Sequence, residues 1–546
     1  MKTNRIFISA LLLAFLGLSS CDNYLDPEPH DRYSEMIAWK SLENTKLYLN
    51  SFYKNLREYG SNGVLVFEGR MTDGLTDQVK YGSNAPGEGN PNIIAYEPTK
   101  ITPDQNSLGI WADAYNKIRR INEFLEGLEQ YGSFDATTTA QLQAQARFVR
   151  AYLYHLLTLR HGSVVLLDKT TTNPANPRST EAECWDFIEK DLDFAIENLP
   201  ESWPAADEGR ITKGAALAMK SRVMLYAKRW DKAASAAGAV INMAKQGQYA
   251  LAATYAGAFK SRSEGNKESI LEFYYQRPDL VHNWDYDLAP GGDNPGYGAK
   301  ATPTQNLVEE YETATGEVVD WTPWHNGPTT QTPPYAQLEP RFHATVLYNQ
   351  ATWKGRKIEP FAGGRDGYFD YGYEAYPSGK TTTGYFIRKG LDESNTELAL
   401  NRSEQSVVEI RYAEVLLNYA EACYMMGGKE SEANDAIREI RQRVGLPYTN
   451  LSGESLFRKI RKERKIELAL EGHRYWDLRR WKLAHTELNK IRSTGMKVTK
   501  QSDGTFLYQV IDVDGRDRLF LERLYNFPIP SAEIANNTAL TQITPW

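Results

Sequence analysis

Apolar residues along this chain recur mostly at helical spacing. Trp111, Tyr115, Ile118, Ile121, Leu125 and Leu128 stand three and four apart, which draws one apolar stripe along a helix. The same period runs through residues 141–159, 182–199 and 212–228, with Pro200 stopping the second of these. Two stretches predict paired helices of the tetratricopeptide kind. In one, residues 216–228 lead to Trp230 and then Ala233, Ala237, Val240 and Ile241; in the other, residues 412–426 pass through Gly427-Gly428 into Ala433, Ile437, Ile440 and Val444. Small residues at such positions let helices approach closely, although ordinary helical hairpins share the pattern. From 251 to 405 the period fades and turn signals multiply, as in Pro290-Gly291-Gly292 and Pro333-Pro334, which predicts a loop-rich lobe. A loop region of that length is functional or disordered, and its interleaved Trp and Tyr favour function. Helix returns over 456–481, a strand-like stretch follows at 506–513, and Phe527-Pro528-Ile529-Pro530 cannot continue a helix. The expected fold class is mainly α, with helical parts at 36–250 and 406–546.

The first residues change the picture from a free globule to an exported one. Lys2 and Arg5 precede an apolar run at 6–18, too short to span a bilayer but suited to a secretory signal peptide. Leu18-Ser19-Ser20-Cys21 resembles the bacterial lipobox, so Cys21 is the expected lipidation site, residues 1–20 the signal peptide, and two or more acyl chains the membrane anchor. An ordinary cleavage site followed by a buried or disulfide-bonded cysteine is the alternative. Residues 21–35 carry Asp22, Asp26, Glu28 and Asp31 broken by Pro27 and Pro29, the composition of a tether.

Charge and composition then exclude several functions. Across 546 residues the net charge is −7, which does not suit a surface that neutralises phosphates, so nucleic acid is not an expected partner. Neither a phosphate-cradling glycine loop nor a CxxC pair or His-rich cluster is present, and no cofactor or metal is expected. Cys184 and Cys423 sit in helix-like contexts where a buried thiol is the common outcome, and whether they pair is open.

Taken in order, several segments resemble the SusD/RagB family of nutrient-uptake outer-membrane lipoproteins. They are the lipobox at Cys21, the helix with Trp111, Tyr115, Ile118, Asn122, Phe124 and Leu125, and the run from Arg411 through Glu414 and Asn418 to Ala422. The block from Arg461 through Glu471-Gly472-His473-Arg474-Tyr475-Trp476-Asp477 to Trp481 follows, and then Phe527-Pro528-Ile529-Pro530 with Glu533 and Gln542. The ending Ile543-Thr544-Pro545-Trp546 departs from the family's usual Asn-Pro-Gly-Trp. The resemblance implies a SusD-like α-helical scaffold with tetratricopeptide-like pairs, an irregular ligand-binding lobe and a hinged lid position above a SusC-like TonB-dependent transporter. It also implies an outer-membrane location facing the exterior and a glycan, or alternatively a peptide, as ligand.

Sugar rings offer an apolar C–H face and a rim of hydroxyls, so a glycan site wants aromatic platforms among hydrogen-bonding side chains. The lobe supplies Trp284 and Tyr286 beside His282, Asn283, Asp285 and Asp287; Tyr297 after Asp293 and Asn294; and Trp321 and Trp324 beside His325 and Asn326. Tyr81 opens the polar stretch 82–92. Tyr81, Trp284, Tyr286, Tyr297, Trp321 and Trp324 are therefore the candidate ligand contacts, with packing of the lobe's own core as the alternative. His473 and Asp477 invite an enzymatic reading, but Arg474, Arg479 and Arg480 beside them favour an ion-pair network. A surface glycoside hydrolase is the rival function, although no spacing in the chain establishes paired carboxylates about 5–10 Å apart. Asp285, Asp287 and Asp293 miss the twelve-residue calcium loop.

Overall fold

The structure is a computed structural model that describes residues 38–39, 41–63, 72–81, 92–295, 297–370, 379–396, 398–400 and 402–546. Cys21, the signal peptide and the tether lie outside the described residues, as does the stretch 82–91.

The periodic runs become helices: α2 (Trp111–Tyr131), α3 (Ala136–His161), α4 (Glu181–Asn198), α5 (Lys213–Tyr226) and α6 (Trp230–Lys245), preceded by α1 (Leu42–Gly63). Their starts are set by local chemistry. Asp135 accepts from Thr138 N at the head of α3, Thr180 and Glu183 close a capping box on α4, and Thr212 accepts from Ala215 N on α5. α3 is buried over most of its circumference and forms the axis of the helical core. Arg150 on that axis donates to both Asp191 oxygens (2.7 and 2.8 Å) and to Asn122 Oδ1 (2.7 Å), tying α2, α3 and α4 together.

α5 and α6 pack as one hairpin, and α7 (Tyr412–Met426) and α8 (Glu430–Arg443) as another, with α6 against α7. Ala216, Ala233 and Ala237 are fully buried, as close helix approach requires. The run 456–481 is broken: α9 (Gly453–Glu467) ends in a turn in which Leu470 and Gly472 take φ of 65° and 77°, and α10 (Arg474–Arg480) sets off from it.

The stretch 251–405 folds around its own aromatic core with short strands rather than extended sheet. β1 (Val79–Tyr81) pairs antiparallel with β3 (Ala301–Pro303), Tyr81 opposite Ala301. β2 (Ser269–Phe273) pairs with β4 (Val407–Arg411), which runs straight into α7, and a hairpin of β5 (Thr494–Lys500) and β6 (Phe506–Asp512) closes the far side. Tyr335, Phe342 and Tyr385 fill this second core together with Tyr475 and Trp476 of α10, so the lobe's interior continues into the scaffold.

Candidate functional site

Buried ion pairs hold the lobe on the scaffold. Arg411 donates to Glu268 and Glu467 (both 2.7 Å) and to Glu471 (2.7 and 2.8 Å), while Lys389 donates to Glu471 at 2.7 Å. Arg341 joins Glu339 and Glu463, and Glu463 also accepts from Arg441. Burial alone would raise the Glu463 and Glu471 carboxyls, but the surrounding cations outweigh it and hold both at about 2. His473 is buried and its pKa falls to about 4, with its Nε2 3.9 Å from Glu414. Asp477 accepts from Arg464 and Arg480 at 2.9 and 2.8 Å, and Arg480 reaches Glu421 at 2.6 Å. These groups are committed to one another, which suits packing of a helix end.

The candidate ligand contacts divide by burial. Trp321 and Trp324 are buried, their rings 5.4 Å apart, and Trp324 Nε1 donates to Gln331 O at 2.8 Å. Trp284 is buried against Gly390. Tyr81 is buried over Gly74, where a Cβ would lie 2.2 Å from its ring. The faces of these four rings are taken up by protein neighbours. Tyr286 is buried as well, but its ring stacks on that of Tyr297 with centroids 5.0 Å apart and planes 27° from parallel, and Tyr297 alone of the six is exposed, at 55%.

A tight turn presents this pair. Pro290 O accepts from Asp293 N and Asn294 N, Asn294 Nδ2 donates to Tyr286 O at 2.7 Å, and Asn294 O accepts from Tyr297 N at 3.2 Å. Gly298 is required where the returning chain passes Ala289, since a Cβ there would sit 2.2 Å from Ala289 O. Below the turn, Arg356 bridges Asp293 (2.9 Å) and Asp366 (2.7 Å). Lys300 Nζ donates to Asp287 at 2.5 Å beside the Tyr81–Ala301 end of the short ladder.

The other polar residues singled out from the sequence have defined partners. Asp285 accepts from Asp392 N, Asn395, Ser403 and Gln405. His282, its pKa lowered to about 4 by burial, has Nε2 2.9 Å from Gln405 O. Among the described residues no three His, Cys, Asp or Glu side chains are grouped to hold a metal ion, and Cys184 and Cys423 are both free and buried. No helix among them is long and apolar enough to cross a membrane. Sequence reasoning did not find Arg341, whose four donor contacts to Glu339, Glu463 and Glu467 span 126 residues of chain and leave no local signal.

Fold and site together define a class of proteins: a helical-hairpin scaffold carrying a loop-built lobe that turns one ring of a stacked aromatic pair to solvent. Residues 266–546 match the family model described as SusD family, and residues 23–225 match a model described as starch-binding associating with outer membrane. The chain belongs to the SusD family. A crystal structure of a SusD-like protein from Bacteroides fragilis superposes with a TM-score of 0.78 at 28% identity, covering 93% of this chain and 98% of that one. A SusD-like carbohydrate-binding protein from the same organism gives 0.76 at 25% identity over 92% of this chain and 99% of its own. A SusD-like protein of Bacteroides ovatus is 23% identical over 97% of this chain and 92% of its own length.

Proposed function

We propose that this protein is a glycan-binding lipoprotein of the outer membrane, anchored through Cys21, that captures oligosaccharide at the cell exterior and passes it to a SusC-like TonB-dependent transporter. The observation that carries the reading is the Tyr286–Tyr297 stack, in which the exposed Tyr297 ring stands on a glycine-rich turn fixed by Asn294. An exposed ring offers a sugar its apolar face, and amide, carboxylate and ammonium groups serve its hydroxyls. Trp284, Trp321, Trp324 and Tyr81 instead pack the lobe's core. The carbohydrate-binding relative of the same fold supports the ligand class, and the outer-membrane description of the second family model supports the location. Capture without bond cleavage fits carboxylates bound up in ion pairs, and it leaves import energy to the transporter.

Titration calorimetry against a panel of neutral and acidic oligosaccharides tests the binding reading: wild type binds at least one, and Tyr297→Ala weakens it. No binding to any of them overturns it. Labelled palmitate entering the wild-type protein but not Cys21→Ser tests the anchor, and co-extraction of a TonB-dependent barrel protein tests the partner.

A further inference from the structure

The helical scaffold holds a cleft of about 800 Å³ on the side of the molecule formed by α1, α2 and the segment 170–172. Its floor is aromatic. Trp39 and Tyr48 both pack on Phe124, with ring centroids 5.2 and 5.3 Å away, and turn their outer edges into the cleft; Tyr131 at the rim is 42% exposed. Gly127, in the interior of α2, makes room for this floor: a Cβ there would lie 2.4 Å from Trp39 Cζ2. A mid-helix glycine weakens the helix relative to alanine, so the close seating of Trp39 is what its place in the helix serves.

The polar wall specifies the charge of an occupant. Arg119 Nε donates to Glu123 at 3.0 Å, and both oxygens of Glu126 are taken by Thr170, from N at 2.7 Å and Oγ1 at 2.6 Å. Arg119 and Glu123 thus pair with each other, whereas Glu126, held only by the neutral Thr170, leaves one negative charge on the wall that disfavours an anion. Neutral hydrogen-bonding side chains also line it: Gln130, Trp39 and Thr171, whose hydroxyl oxygen accepts from Asn173 N at 3.1 Å. Aromatic rings beside neutral donors and acceptors, in a volume within the range of small-ligand clefts, suit a molecule with apolar faces and a hydroxyl rim.

We infer that this cleft is a second saccharide site, taking a neutral oligosaccharide, on the scaffold and separate from the lobe's tyrosine pair. Its ligand class rests on the glycan reading above; its residues do not overlap the lobe site. The scaffold would then hold one stretch of a glycan while the lobe engages another.

The test uses the full-length mature protein and five neutral probes: maltohexaose, laminarihexaose, cellohexaose, xylohexaose and mannohexaose. Calorimetry on wild type, Tyr297→Ala, the double variant Gln130→Ala/Tyr131→Ala and the triple combination separates the two sites. With at least one probe, Tyr297→Ala is expected to retain binding, and the triple variant to bind at least tenfold more weakly than Tyr297→Ala. A triple variant indistinguishable from Tyr297→Ala overturns the inference, as does failure of the wild type to bind any probe. Crystals soaked with the tightest probe give an independent readout: sugar density beside Tyr131 supports the site, and density for the chain's own residues before Ala38 in the cleft overturns it. If Tyr297→Ala binds as wild type while the double variant loses binding, the lobe reading fails and the cleft stands.

Discussion

Arg341 of the lobe donates to Glu467 at the end of α9, 3.3 Å away, and Arg411 of β4 donates to the same carboxylate at 2.7 Å. One buried acid thus joins the lobe to the scaffold. Burying an ion pair is not in itself a gain, because desolvation offsets the attraction, but removing one partner leaves its cations uncompensated. Glu467→Ala is therefore expected to destabilise the protein by about 3–5 kcal/mol, and Glu467→Gln by less. Urea denaturation followed by tryptophan fluorescence measures this; an unchanged midpoint in Glu467→Ala would show that the network contributes nothing.

Asp73 gives the protein a pH dependence of opposite sign to that of its ion pairs. Burial pushes its carboxyl from the ordinary 3.8 up to about 7, while Gly472 N donates to its Oδ2 at 3.0 Å. Between those values the folded chain keeps a proton that the unfolded chain has lost, so stability falls as pH rises from 4 to 7. Glu463 and Glu471, held at about 2, act the other way: their contribution is complete above the ordinary 4.5 and is lost as pH falls toward 2. Asp73→Asn removes the first effect, raising stability at pH 8 relative to pH 5 by up to about 2.7 kcal/mol compared with wild type. Thermal melts at the two pH values read the difference, and parallel curves for the two proteins would refute it.

Exposed and buried rings of the lobe should respond differently to truncation. Tyr297→Ala removes a solvent-facing ring, with an expected loss of glycan affinity of about tenfold, or 1.4 kcal/mol, and little change in melting temperature. Trp324→Ala empties a buried site and is expected to cost about 3–5 kcal/mol of stability. Melting curves beside calorimetry distinguish the two, and a stable Trp324→Ala variant would place that ring outside the core.

Gly74 is a packing requirement of Tyr81. A methyl group at this position meets the Tyr81 ring at 2.2 Å, so Gly74→Ala must displace the ring or the short helix Thr72–Leu75. The expected cost is about 1–3 kcal/mol. A melting temperature equal to that of wild type would show that the contact relaxes freely.

The helical scaffold is legible in the sequence because helix is a local matter. Trp111 to Leu128 carry their stripe within one element, and caps such as Thr180 with Glu183 lie a single turn apart. The turn that splits residues 456–481 is less visible: Gly472 signals it, but Leu470 at φ 65° does not, since its conformation follows from the network around Glu467 and Glu471. The lobe shows the limit most clearly. Trp284, Tyr297 and Trp324 all stand in polar, turn-rich stretches and look alike as candidates, yet one is exposed and two are buried.

What the sequence by itself determined is the helical period, the turn-rich middle and the family motifs, all carried by neighbours a few residues apart. Only the tertiary structure decided which rings face solvent, that Arg341 and Arg411 share Glu467, and that Trp39 lies over Gly127 to floor a cleft. Burial and ion pairing are properties of contacts between residues up to hundreds of positions apart, and no local pattern encodes which of those contacts forms.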